Sequence, residues 1–491
     1  MTDLNAKDTA PSSPLIPTAH ITSPTFSYRQ ESIWLLKNAV PSVISYLLQN
    51  SLQSVSVITA GHLGATELAA ASVASMFVTV TGLSTVMGTT LCLDTLCSQA
   101  YTNTHCDKKV VGLHVQRCLV FLSVLFLPLM TLWWHAEKVF LLLRQEPDVA
   151  LLAGQFTRCM ILAMPAFTLF ESLKKMVQAQ GLFRAPTYVL FVGAPFNVVV
   201  SYALVWHSTL GFIGAPIAAA LTYWLLALLL AGYIFYVDGS QVWPRWQWTK
   251  NESQGVGGVL DHLAYASMLK LAIPGILLIC SENWAYEIIA LASGWIDDGK
   301  TSQGAQSVLV TSVAMFYTIP FGVGISASNR VGNALGAQQP KQAALAAKTA
   351  LIAACVVASI NALVLFLFRH RWAYLFTDDD EVVTMVSQVI PVVSVFIFGD
   401  NVAGIADGVL NGQGRQHVGA WFNLAAYYLS SLPIGFFLCF SLRWGLIGIW
   451  SGLMGSLLAV AVATTVVVLK SDWNMEALNA RNRSNLEIKQ S

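Results

Sequence analysis

Twelve apolar stretches follow one another along this chain with only short polar breaks between them, each near the ~20 residues a helix needs to cross a bilayer. They cover approximately residues 36–60, 69–95, 112–134, 149–172, 185–206, 212–236, 264–290, 304–328, 343–368, 384–408, 418–440 and 446–469. Lipid offers no partner to backbone N–H and C=O groups, so a spanning segment closes its own hydrogen bonds as a helix or joins a closed barrel. These runs are continuously apolar and lack the alternation of barrel strands, which leaves helices. Of the 491 residues, 55% are hydrophobic and 11% are charged, against about 25% charged in an ordinary soluble domain. The mean hydropathy of +0.60 is sustained along the chain rather than held in one anchor, so the lipid bilayer is a partner for most of it. A net charge of +1 gives no electrostatic basis for binding nucleic acid.

Basic residues in the short loops set the orientation. With the N-terminus in the cytoplasm, the inner loops hold Lys108, Lys109, Arg117, Lys174, Lys175, Arg184, Arg245, Lys250, Arg330, Lys341, Lys348 and Arg415. The outer side keeps only Lys138, Arg144, Lys300, Arg369, Arg371 and Arg443. Both termini are therefore expected in the cytoplasm, beside a plasma or vacuolar membrane. The chain divides into a disordered N-terminal tail (1–30), a first lobe (31–236), an interfacial cytoplasmic connector (237–262) with Trp243, Trp246 and Trp248, a second lobe (263–470) and a C-terminal tail (471–491). The N-terminal tail has no apolar core of a signal peptide, so the first membrane helix is expected to supply targeting. Cys118, Cys159, Cys280, Cys355 and Cys439 fall in apolar runs without metal or redox spacing and are expected to be small buried hydrophobes.

The two lobes repeat each other. Pro41 and Pro274 lie 233 positions apart (274 − 41), as do Gly61 and Gly294, and the pairs Gln180-Gly181 and Gln413-Gly414. Gly211-Phe-Ile-Gly214 returns as Gly445-Leu-Ile-Gly448 at an offset of 234. Each half has an even number of helices, so both enter the membrane from the same side and form parallel repeats about an axis normal to it. The expected fold class is an all-α membrane protein, twelve transmembrane helices in two parallel six-helix lobes flanking a central cleft.

A charge near the bilayer centre costs about 2.5–3.5 kcal/mol on insertion scales, so an ionisable residue there is a functional candidate. The seventh stretch carries Glu282 and Glu287, eight and thirteen residues beyond Pro274. Glu282 and Tyr286 share a face at i, i+4. Glu287 points about 140° away and is expected to serve a neighbouring helix rather than the same pocket wall. The tenth stretch supplies Asp400 and, two turns nearer the cytoplasm, Asp407, expected to be structural, as are Asp94 and Glu171 near water-accessible helix ends. The repeat offset takes Glu282 to Gln49, Asn283 to Asn50 and Asp400 to Phe167, which concentrates titratable chemistry in the second half. A carboxyl group shielded from bulk water can hold a proton near neutral pH and release it when water or a cationic cargo arrives. Tyr46, Tyr286, Tyr317, Tyr427 and Tyr428 can line an aromatic cavity suited to flat or cationic molecules. The candidate proton-coupling residues are Glu282, Asp400 and Glu287; the candidate substrate-binding residues are Glu282, Asn283, Tyr286, Tyr317, Asp400, Tyr427, Tyr46 and Gln49.

Five motifs carry a family likeness: Gly61-His-Leu-Gly64, Asp94-Thr-Leu-Cys-Ser-Gln-Ala-Tyr101, Glu282-Asn-Trp-Ala-Tyr-Glu287, Arg330-Val-Gly-Asn-Ala-Leu-Gly-Ala337 and Gly408-Val-Leu-Asn-Gly-Gln-Gly414. In order they resemble the signatures of the multidrug and toxic compound extrusion family in its eukaryotic branch, over about residues 30–470. The resemblance implies a V-shaped pair of lobes acting as a monomer, without cofactor, ATP or enzymatic activity, to exchange protons for organic cations, other xenobiotics or metabolites. It implies that the first Glu of the seventh-helix motif, here Glu282, and an acid nine positions after a tenth-helix proline, here Asp400 after Pro391, are the proton and cation sites. Some animal relatives have a further Glu after Gly304-Ala-Gln-Ser307, where this chain has Thr311, which leaves the charge of the substrate open; Thr102 likewise replaces a usual Gly. Sodium coupling and lipid or precursor flipping are the alternative functions within the superfamily, although flippase clefts tend to be cationic and this one is acidic. A major-facilitator transporter would show Gly-x-x-x-Asp-Arg between Ser98 and Val110, and a membrane enzyme a nucleophile or metal set; the sequence has neither.

The sequon Asn251-Glu252-Ser253 lies in the connector. On a cytoplasmic connector it stays unmodified, so glycosidase treatment of protein from a eukaryotic host should leave gel mobility unchanged; a shift at this sequon would reverse the orientation.

Overall fold

The computed structural model describes residues 27–104, 107–244, 258–296 and 299–488. The first lobe comprises α1 (Tyr28–Gly61), α2 (Ala65–Thr102), α3 (Lys109–Trp134), α4 (Pro147–Met160 with Met164–Ala179), α5 (Arg184–Trp206) and α6 (Gly211–Tyr236). The second comprises α7 (His262–Ser293), α8 (Gly299–Gly336), α9 (Pro340–Leu367), α10 (Asp380–Gln413), α11 (Gln416–Ser441) and α12 (Leu446–Leu469), and α13 (Trp473–Ile488) follows. Among the described residues, ten helices are long and apolar enough to cross a membrane, and the bent pair of α4 makes eleven. At 34 residues, α1 completes the expected twelve by length. It is more polar than a lipid-facing helix because its polar side chains are used inside the protein. Ser45 bonds Thr187 at 2.8 Å, and Gln49 donates to Glu171 at 2.8 Å.

Local chemistry explains where these helices start, bend and stop. The Asp379 carboxylate caps α10 by accepting from the N–H groups of Glu381 and Val382 at 3.0 and 3.3 Å, filling two of the orphan donors of a first turn. The helix stops at Gly414, whose φ of +76° is the left-handed conformation that a side chain opposes. Gly181 ends α4 with φ +82°, and the other repeated pair, Gly211 and Gly445, has φ +53° and +57°. Thus these repeat landmarks mark backbone conformations that both halves need. Within α4, the helix breaks by 50° just before Pro165, which has no N–H to continue the ladder.

Solvent polarity is reversed on the outside. Along α9, Ile352, Val356, Ile360 and Leu363 form one stripe with more than half of each side chain exposed, the face a helix turns to lipid. Cys355 sits on this exposed surface, contrary to the expectation that it is buried, whereas Cys118, Cys280 and Cys439 are buried. In the connector, Ser240–Val242 forms one 3-10 turn and Trp243 packs on Phe235 at 6.0 Å between ring centroids. Residues 1–26 and 245–257, including Trp246, Trp248 and the sequon, lie outside the described residues.

The lobes meet where α2 packs on α7 and α8, and α1 on α8. Contacts across this seam gather in the half nearest the two chain ends, hereafter the terminal face. Gln99 donates to the Gly412 carbonyl at 2.9 Å, Thr102 to the Asn333 carbonyl at 2.7 Å and Gln416 to Thr95 at 2.7 Å. At the start of α1, Glu31 pairs with Arg330 of α8. Most of the segment expected as a C-terminal tail forms α13, which lies across this face: Arg483 donates to Gln99 of the first lobe at 3.1 Å and to the Gln413 carbonyl of the second at 2.6 Å. Closer to mid-membrane the seam is glycine on glycine. A Cβ on Gly88 would stand 2.6 Å from the Ile276 Cα, beside Gly275. Gly88→Val should therefore part α2 from α7 and cost about 1–3 kcal/mol, read as a lower melting temperature in detergent; an unchanged melt would mean that the seam is loose.

Candidate functional site

On the side of the seam away from the chain ends, the lobes enclose a cavity of about 310 Å³. Four helices supply most of its wall: Tyr46, Gln49, Asn50 and Gln53 from α1, Thr79, Leu83, Ser84 and Met87 from α2, Ile279 to Glu287 from α7, and Val310 to Phe321 from α8. Thr79–Leu83 is a widened π turn, a helix defect common at functional sites. Below this cavity, toward the terminal face, lies a chamber of about 40 Å³ bounded by Asp94, Ser328, Asp407, Asn411 and Asn423 among others. Glu282 lines both spaces, together with Ile279, Tyr317 and Phe321. It is the one carboxyl that the two linings share.

Glu282, Asn283, Tyr286, Glu287, Tyr317, Tyr46 and Gln49, all singled out from sequence, line the larger cavity. Glu287 corrects the expectation that it turns away from this wall. α7 stands in the seam, so the cavity meets a wider arc of the helix than one i, i+4 stripe. Asp400 is 4% exposed and lines neither space, with its Oδ2 lacking a protein donor. It lies behind the wall, within electrostatic reach of Glu282, Tyr286 and Tyr317. Tyr427 is buried outside the lining, its ring 6.4 Å from that of Tyr286, and the Tyr428 hydroxyl donates to the Ser281 carbonyl at 3.1 Å. Tyr46 meets Phe321 edge-on at 4.8 Å and Tyr317 lies 5.9 Å from the same ring, making an aromatic floor.

The duplicated asparagines each reach into the opposite lobe. Asn50 of α1 donates to Thr318 of α8 at 3.4 Å, and Asn283 of α7 donates to Ser84 of α2 at 3.0 Å. Position 49 and its repeat at 282 have diverged, and so have their surroundings. Gln49 donates to Glu171, while Lys174 donates to Gln49 and Glu171 at 2.8 and 2.7 Å and stands 4.3 Å over the Tyr46 ring. Lys175 bonds Asp94 at 2.6 Å. All four charged side chains are buried.

This quartet corrects two expectations. Asp94 and Glu171 are enclosed rather than water-accessible, and buried ionisable groups are not concentrated in the second half. They escaped notice because α4 continues to Ala179, which places Lys174 and Lys175 inside the bundle instead of a loop. The spacing Glu171 to Lys174, one turn apart on one helix, was the available signal. The halves do differ in balance: the first-lobe acids are each paired with a lysine. Among the described residues, Glu282, Asp400 and Asp407 form no ion pair with any cation.

Breaking one buried pair strands its partner's charge, so Lys175→Met should destabilise the protein by about 3–5 kcal/mol. The double substitution Asp94→Leu with Lys175→Met should recover most of this in thermal melts; equal loss in the single and double variants would assign the effect to packing instead.

Comparison with known proteins bears on this architecture. The MatE family model matches residues 41–203 and again 274–437, two stretches that begin at the repeated prolines Pro41 and Pro274. An uncharacterized transporter of Schizosaccharomyces pombe is 39% identical over 447 residues, covering 91% of this chain and 80% of that protein. Multidrug and toxin extrusion protein 2 of Mus musculus is 34% identical, covering 94% and 78%, and Protein DETOXIFICATION 16 of Arabidopsis thaliana is 32% identical, covering 92% and 90%. Among solved structures, the eukaryotic MATE transporter AtDTX14 superposes with a TM-score of 0.85 at 30% identity, over 93% of this chain and 99% of that one.

Proposed function

Because the chain belongs to the MatE family of multi-pass membrane transporters, we propose that it is a secondary active antiporter that exports small organic molecules in exchange for protons. The cargo is an organic cation, another xenobiotic or a metabolite. The names of the mouse and plant relatives, extrusion and detoxification, favour this reading. One observation carries it: an acid with no ion-pair partner, Glu282, borders both the large cavity and the chamber beneath it.

In the large cavity, a flat or cationic molecule rests on the aromatic floor of Tyr46, Phe321 and Tyr317, where the ring faces attract positive charge. Gln49, Asn50 and Asn283 supply neutral hydrogen bonds. A proton and a cation then compete for one carboxylate. Holding either satisfies the charge, and holding neither leaves it uncompensated away from bulk water. Asp400, buried within electrostatic reach of Tyr286 and Tyr317, and Glu287, on the cavity wall, extend this acidic field within the second lobe. Alternation follows from the seam. Its backbone contacts are close but small-sided, so the lobes can part at the terminal face and close over the cavity opposite. By the loop-charge bias, the terminal face is cytoplasmic, and the described arrangement is sealed toward the cytoplasm.

The test is uptake of the fluorescent cation ethidium into proteoliposomes under an imposed pH gradient. Wild-type protein should accumulate it, with Glu282→Gln and Asp400→Asn falling to the level of protein-free liposomes. Unimpaired exchange in both variants would remove these residues from the mechanism.

A further inference from the structure

The chamber under Glu282 is walled by buried oxygens that have no donor. The Oγ of Ser328 and the Oδ1 atoms of Asp407, Asn411 and Asn423 are each buried without a protein hydrogen-bond partner. Their side chains come from α8, α10 and α11, are at least nine-tenths buried, and line one space of about 40 Å³. A space of ~10–15 Å³ suffices for one water, provided that polar partners surround it. Acceptors without protein donors are satisfied there by water or by a protonated carboxyl group.

Asp407 is expected from sequence to be structural, yet among the described residues no protein donor reaches its Oδ1. Room for it comes from Gly419 of α11, where a Cβ would stand 2.6 Å from its Oδ1. Glu282 of α7 lies within electrostatic reach of it, and Tyr317 of α8 within reach of Glu282, Asp400 and Asp407. Asp94 of α2 also borders the chamber; its Oδ2 is paired with Lys175 of α4, and its Oδ1 is buried without a protein hydrogen-bond partner. Of the other packed helices, α13 brings Arg483, whose guanidinium is held at the seam by Gln99 and the Gln413 carbonyl. On α9, Lys341, Lys348 and Cys355 are exposed; on α11, His417 is exposed; and α12 has no titratable side chain. The floor of the chamber is the seam itself, since Thr95 of α2 donates to the Asn411 carbonyl and accepts from Gln416. Parting the seam therefore wets Asp407 before it wets Glu282.

We propose that this chamber is a hydrated proton-transfer site on the terminal side of Glu282, in which Asp407 receives the proton from Glu282 and passes it to the terminal face. The inference rests on the proton-exchange reading above. The O–H bond on Glu282 breaks as one forms to chamber water, whose own proton goes to the Asp407 carboxylate. One proton moves, no electron is transferred, and Asp407 releases it when the seam opens.

The full-length protein in proteoliposomes distinguishes this from a structural role. Ethidium transport is followed while pH on the terminal side is varied and pH on the other side is fixed, and ethidium binding is measured separately at equilibrium. Asp407→Asn should bind ethidium as wild type does, yet transport it about a hundredfold more slowly, as loss of a positioned proton-transfer group does. Its rate should no longer follow terminal-side pH, and Asp407→Glu should restore that dependence. Asn423→Leu, which fills the chamber from another helix, should reproduce the slow, pH-insensitive phenotype even if Asp407→Asn fails to fold. Wild-type rates and pH profiles in either Asp407→Asn or Asn423→Leu would overturn the relay. If wild-type protein shows no proton-driven exchange, or Glu282→Gln behaves like wild type, the proposed function fails and takes the relay with it. If those two controls behave as expected and only the chamber variants are silent, the relay alone falls.

Discussion

A charge inside a bilayer must be neutralised by a partner or kept beside water, and this one constraint sorts the polar residues of the protein. The first lobe meets it by pairing: Lys174 with Glu171, and Lys175 with Asp94, each pair buried and joined by a hydrogen bond. Among the described residues, the second lobe leaves Glu282 and Asp407 on cavity walls and Asp400 buried outside the linings, none with a counter-cation. Breaking a buried pair is expensive, so the first arrangement resists change. An unpaired acid beside a cavity can exchange what neutralises it, and the second arrangement is therefore the responsive one. Static and responsive halves face each other across a seam of glycine and backbone contacts.

Duplication explains how one chain came to hold both arrangements. What the halves keep are requirements of shape: helix-ending glycines at Gly181 and Gly414, left-handed turns at Gly211 and Gly445, and the asparagines at 50 and 283 that each reach across the seam. What they vary is the adjacent position, an amide at Gln49 and an acid at Glu282. The amide is anchored by Lys174 and Glu171, whereas the acid has neither. Asymmetry of charge has thus been laid over symmetry of backbone.

Much of this was legible in the chain itself, because lipid makes length and hydropathy nearly sufficient to place helices, and because the repeat fixes which positions correspond. Helical spacing places Glu282 and Tyr286 on one face, the repeat marks Asn283 through its partner Asn50, and Tyr317 stands out only as one of several tyrosines in the apolar stretches. Failures came where a residue's role depends on a neighbouring helix. Lys174 and Lys175 look like loop charges until α4 is seen to run on past them. Glu287 looks misdirected until α7 is seen to stand in the seam. Asp400 is buried, yet it lies outside the cavity lining, within electrostatic reach of Tyr286 and Tyr317. The polar α1 escapes a hydropathy test among the described helices because its amides face partners rather than lipid. Helix α13 gave no membrane-spanning signal, its residues being polar and its seat made by two lobes together.

That seat ties the C-terminal end of the protein to the relative placement of the two lobes. Arg483 reaches one lobe through Gln99 and the other through the Gln413 carbonyl, so α13 fits only while those two groups are adjacent. A segment that binds one shape of a two-shape machine biases the balance between them, and the bias is reciprocal. In the alternation proposed above, whatever captures or displaces this helix from the aqueous side would act as an effector, at a site remote from the cargo.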